Sequence, residues 1–112
     1  MLLNGVVKTV VGDNELEHVF ETTREFKVSL VVGENRKEHY FTFYRHNIKE
    51  PCWEIIAIDD GHTFDFSVSK EKHCWIGKLR NQAYMFYSLG DAVKYACLGA
   101  LIRRLKWRIQ AQ

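Results

Sequence analysis

Proline occurs once and cysteine three times in 112 residues. With so little proline, no Pro-rich linker is expected. The cysteines, Cys52, Cys74 and Cys97, are odd in number and none are paired as Cys-x-x-Cys. Neither a disulfide framework nor a zinc knuckle is therefore expected. The seven glycines are dispersed, so no phosphate-cradling loop emerges. No apolar run reaches the roughly 20 residues that span a bilayer. The amino terminus lacks a basic leader followed by an apolar block, so no signal peptide is expected. Neither charge sign dominates, since the net charge is +2. These absences point to a cytoplasmic protein with reduced thiols.

Catalytic signatures are also missing. No Gly-x-Ser-x-Gly elbow is present. The five histidines, His18, His39, His46, His62 and His73, show no His-x-x-x-His spacing and no recognised zinc pattern. His73 and Cys74 are adjacent, and neighbours on a strand point to opposite faces. No metal, cofactor or catalytic residue is assigned.

What remains is an ordinary globular composition, with 46% apolar and 27% charged residues. Residues 1–112 are read as one domain. A chain of this size buries roughly two thirds of its unfolded surface.

The last quarter of the chain, from Ser88, has the clearest helical period. Ser88 followed three residues later by Asp91 resembles a capping box. At 3.6 residues per turn, Leu89, Ala92, Val93, Ala96, Cys97 and Ala100 share one face. These mostly small side chains suit close packing on a sheet. A second stripe, Leu98, Ile102, Leu105 and Ile109, has the four-three-four spacing of a coiled-coil seam. A helix apolar on two sides needs two covers. The second cover is either the apolar segment 2–11 or a partner, including a second copy of this chain in a homodimer. Segment 2–11 itself suits either a helix face or a strand; its four valines favour the strand.

Everything between reads as strands. Even positions Leu16, Phe20, Phe26, Val28, Leu30 and Val32 alternate with mainly polar odd positions, which suggests a strand interrupted at Thr22, Thr23 and Arg24. The alternative is a short helical turn near residues 16–20, capped by Asp13 or Asn14. A hairpin loop at residues 33–36 places Leu30 beside His39, Val28 beside Phe41 and Phe26 beside Phe43. Residues 52–59 form a central strand, with Trp53, Ile55 and Ala57 on one face and Ile56 and Ile58 on the other. Asp60-Gly61 signals a two-residue hairpin turn. It pairs Asp59 with His62, Ala57 with Phe64, Ile55 with Phe66 and Trp53 with Val68. Residues 73–77 and 83–87 form two more strands. The expected fold is α+β: an antiparallel meander of about five or six strands, packed on one face by the long C-terminal helix.

Three functions are weighed on this frame. The first is a non-enzymatic module that binds another protein, such as a small adaptor or inhibitor, through Leu98, Ile102, Leu105 and Ile109 and the exposed rings of Tyr40 and Tyr44. Its size and lack of catalytic motifs suit a regulatory protein of a phage or mobile element. The second is nucleic-acid binding. Arg103, Arg104, Lys106 and Arg108 would meet phosphates and Trp107 would stack on a base. Cations at a helix end also complement its dipole without any ligand. The third is a histidine- or metal-dependent enzyme. If Phe43 meets Trp53 across the sheet, His39 falls near His62 and Asp59. No membrane partner is expected.

Overall fold

The computed structural model describes residues 13–32, 36–63 and 65–111, and the side chains of these except at positions 13, 14, 32 and 104–111. The elements are α1 (Asp13–Thr22), β1 (Glu25–Val32), β2 (Lys37–Tyr44), β3 (Cys52–Ile58), β4 (Gly61–His62), β5 (Phe66–Lys70), β6 (Trp75–Leu79), β7 (Gln82–Phe86) and α2 (Leu89–Ala111). The strands form one antiparallel sheet in the order β1-β2-β3-β5-β6-β7, with the short β4 also paired to β3. Helix α2 crosses β5, β6 and β7, and α1 packs beside it. The fold is the α+β meander with a closing helix that the alternation implied. Among the described residues, no helix is long and apolar enough to cross a membrane.

The first hairpin has the expected register: Leu30 faces His39, Val28 faces Phe41 and Phe26 faces Phe43. Across β2 and β3 simple alternation fails. Thr42 faces Ala57 while Phe43 faces Ile55, so Ile56 is an extra residue in a bulge. A bulge shifts the facing of a strand by one residue. Ile58 therefore joins Trp53 and Ile55 in the core, whereas Ala57 is only half-buried. Phe43 meets Ile55 instead of Trp53, two positions along β3 from the expected register, and both Ile55 and Trp53 remain on the core face.

The next turn falls one residue earlier than Asp60-Gly61 suggests. Ile58 pairs with Gly61 and Ala57 with His62, so Asp59 and Asp60 occupy the turn, Asp59 with φ of 53°. Aspartate tolerates this left-handed conformation better than most residues. Beyond an irregular stretch containing Asp65, at φ 73°, the register returns to the expected pairing of Trp53 with Val68. The expected partner of Ala57, Phe64, lies outside the described residues.

Residues 13–22 form a helix, not the first half of a strand. Leu16 and Phe20, four apart, are buried, and Val19 packs against the same core. Val19 and His18 already break the period-two pattern. The sequence Thr22, Thr23, Arg24 that interrupts the alternation is where the helix ends. The last turn of α1 contains no basic residue. Arg45, at the end of β2, supplies the cation from across the fold. Its guanidinium donates to the carbonyls of Glu21 (2.9 Å), Thr23 (3.0 Å) and Glu50 (3.1 Å). The bonds to Glu21 and Thr23 satisfy carbonyls that a helix end leaves unpaired, and the bond to Glu50 ties in the loop after β2.

The core is aromatic on the sheet side and small on the α2 side. The ring of Phe20 lies 4.8 Å from Trp53 and 4.7 Å from Phe26, centre to centre. Leu89, Ala92, Val93, Ala96, Cys97 and Ala100 are all buried, as their shared face implies. Ser88 caps the helix, its Oγ accepting from the Asp91 N–H at 3.4 Å. Two glycines permit the close approach of helix and sheet. A Cβ on Gly77 would sit 2.9 Å from Tyr95 Cδ2, and one on Gly99 would sit 2.6 Å from Leu79 Cδ2.

Candidate partner-binding groove

Leu98 and Ile102 do lie on one side of α2, but they have different surroundings. Leu98 is half-buried and packs against the core, whereas Ile102 is 52% exposed. Between them Leu101 turns inward and is buried, a core residue that the four-three-four spacing passes over. The helix continues to Ala111. The side chains of Leu105 and Ile109, the rest of the expected seam, lie outside the described residues.

Leu98 and Ile102 line one wall of a groove of about 520 Å³. The opposite wall is the β6–β7 turn. Leu79 and Phe66 contribute apolar surface and Tyr95 closes one side, while Arg80, Asn81, Gln82 and Arg103 supply the polar rim. The turn is tight: Leu79 pairs with Gln82, and Arg80 between them adopts φ of 54°. Leu79 reaches the helix because Gly99 presents no side chain there. Tyr95 is held by the rings of Tyr84 (5.1 Å) and Phe86 (5.3 Å). Burial, then the neighbouring Tyr84, raises the Tyr95 hydroxyl above its ordinary pKa, so it stays a neutral donor.

Among the described residues the lining has two cations, Arg80 and Arg103, and no acid. Arg80 has a long contact to Asp65 at 3.9 Å, with both side chains 57% exposed. Such a pair is worth little and leaves the guanidinium available to a better partner. An apolar floor with a cationic rim can take an apolar side chain flanked by carboxylates.

Tyr40 and Tyr44 do not belong to this groove. They point to the sheet face opposite the helices, since their neighbours Phe41 and Phe43 are in the core. Tyr40 donates its hydroxyl to Glu38; this bond, then burial and the charges of Glu38 and Asp59, raises its pKa. Tyr44 accepts from Arg24 at 3.4 Å and meets the His46 ring at 5.2 Å. The sequence names these tyrosines and the helical stripe together as partner-binding residues; the two sets lie on different faces of the fold.

Arg103 is half-buried and lines the groove. The side chains of Arg104, Lys106, Trp107 and Arg108, the rest of the expected nucleic-acid cluster, lie outside the described residues. In the expected histidine cluster, His39 Nδ1 is 2.9 Å from Asp59 Oδ2. The other oxygen of Asp59 accepts from the Tyr40 N–H at 2.9 Å. The carboxylate thereby ties the positive-φ turn to β2. His62 is exposed on β4. Among the described residues, no group of three or more His, Cys, Asp or Glu could hold a metal.

Sequence reasoning missed Leu79, Arg80 and Tyr95. The signal that could have found them is Gly99, a glycine inside a strong helix, which marks a close approach by another element. Comparison with protein-family models, curated proteins and solved structures gave no significant match.

Proposed function

We propose that this protein is a non-enzymatic binding module, an adaptor or inhibitor that holds an acidic segment of another protein in the α2/β6–β7 groove. The observation that carries this reading is Ile102, 52% exposed beside Leu98 and Leu79 in a groove whose described lining has two arginines and no acid. Covering an exposed isoleucine contributes roughly 1–2 kcal/mol. The rim arginines add orientation, because a guanidinium grips a carboxylate through two parallel bonds.

Selection from a random peptide library tests the reading. The expected winners carry Leu, Ile or Phe flanked by Asp or Glu, and they lose binding when Ile102 is replaced by Glu. Basic winners, or winners indifferent to Ile102→Glu, contradict it. Tight oligonucleotide binding that falls steeply with salt would move the function to the basic helix end instead.

A further inference from the structure

Strand β7 is an edge with little of the protection that edges normally carry. Among the described residues it pairs only with β6. Residues 82–88, Gln-Ala-Tyr-Met-Phe-Tyr-Ser, contain no charge and no proline. Natural edges are usually blunted by such residues, and the opposite edge, β1, carries Glu25 and Lys27. On β7, Tyr84 is 50% exposed and Met85 56%, and Tyr87 just beyond it is 83% exposed. Among the described residues six large apolar side chains are exposed, and these are three of them, so the exposed apolar surface of the described residues concentrates here.

We propose that β7 is a self-association edge, pairing antiparallel with β7 of a second copy about a two-fold axis at Tyr84. The backbone supports this register. Leu79 and Gln82 flank a two-residue turn, and in such a hairpin the flanking pair exchanges both backbone bonds. Alternation then directs the N–H and C=O groups of Gln82, Tyr84 and Phe86 to β6, and those of Ala83 and Met85 outward. With the axis at Tyr84, Ala83 faces Met85 of the second copy and exchanges both bonds with it. Tyr84 faces its own counterpart as a non-hydrogen-bonded pair, where side chains come closest.

The two faces match as well. Tyr84 points to the α2 side, against Tyr95, so two tyrosines meet there. Met85 points to the other side, next to Ile76 on β6, and would be flanked by Ala83 of the second copy. An uncharged strand meets itself without like-charge opposition. A second copy also closes the edge, because both free strands are consumed in a two-fold dimer; an added peptide strand would leave a new edge exposed.

Light scattering after size exclusion, from about 1 μM to about 100 μM, reads this out. The expected result is a dimer at the upper end that both Ala83→Pro and Met85→Lys convert to monomer. Ala83 faces outward, so proline there leaves the β6–β7 ladder intact. A wild-type measurement guards against misfolded variants: the amides of Ala83 and Met85 should exchange about tenfold slower at the high concentration than at the low one. Ile102→Glu should leave the dimer unchanged, which separates this edge from the groove. A monomer throughout, an open-ended oligomer, or a dimer unmoved by both variants would overturn the proposal.

Discussion

The guanidinium carbon of Arg45 lies 4.2 Å from the centroid of the Trp53 ring. Arg45 is only 4% exposed, yet its described partners are main-chain carbonyls and an indole face. It joins three segments, the end of α1, the loop after β2 and the core strand β3. Burial lowers its pKa, but not enough to discharge an arginine. Arg45→Ala should cost about 3 kcal/mol, from lost charged hydrogen bonds and the stacked cation. Arg45→Lys should restore less than half, because one ammonium cannot reach three carbonyls with a planar fork. Urea unfolding of the three proteins checks this.

Gly77 sits where β6 passes beneath α2. An added methyl would lie 3.1 Å from Phe86 Cε2 and 3.3 Å from the Ala92 carbonyl oxygen. The ring can yield, but the helix backbone cannot. Gly77→Ala should destabilise by about 1–3 kcal/mol, despite the better strand propensity of alanine. Thermal unfolding with a lower midpoint is the expected result.

The bulge at Ile56 makes two neighbouring isoleucines unequal. Ile58 is fully buried and Ile56 half-buried. Ile58→Ala should cost about 3 kcal/mol and Ile56→Ala about 1 kcal/mol. Without the bulge the two would share a face and cost the same. Chemical denaturation of both variants decides.

Most of the fold was legible where local chemistry speaks with one voice. The β1–β2 register follows from a single loop, and the α2 core stripe from small residues at helical spacing. The failures have physical causes. In residues 16–22 Leu16 and Phe20 fit both period two and a helix face, and tertiary burial chose the helix. Bulges obey cross-strand geometry that one strand does not encode, so Ile58 was misplaced. Arg45 is charged and was passed over, because burial of a cation depends on carbonyls far away in the chain. The groove was half legible: Leu98 and Ile102 marked its helical wall, but its other wall is a turn ten or more residues upstream.

Cys97 is buried against the sheet, and burial raises its thiol well above the ordinary range. Cys52, half-buried, is raised chiefly by burial and then by Glu54. A folded-state pKa above the unfolded one favours the protonated native state. That contribution is fully present below the unfolded thiol value, about 8.5, and is lost as pH rises through it toward the folded value. Stability should therefore fall above that pH. Thiol labelling of the native protein should leave Cys97 unmodified until unfolding, as mass spectrometry of labelled fragments would read out.

The groove depends on a surface role for Ile102 and a core role for its neighbour Leu98. Ile102→Glu should change stability by no more than about 0.5 kcal/mol, while Leu98→Glu should be clearly destabilising. The most direct measurement is isothermal titration of the selected acidic peptide into folded wild-type and Ile102→Glu protein. Saturable binding to the first and none to the second, at an unchanged unfolding midpoint, is the expected result. Equal binding to both would contradict it.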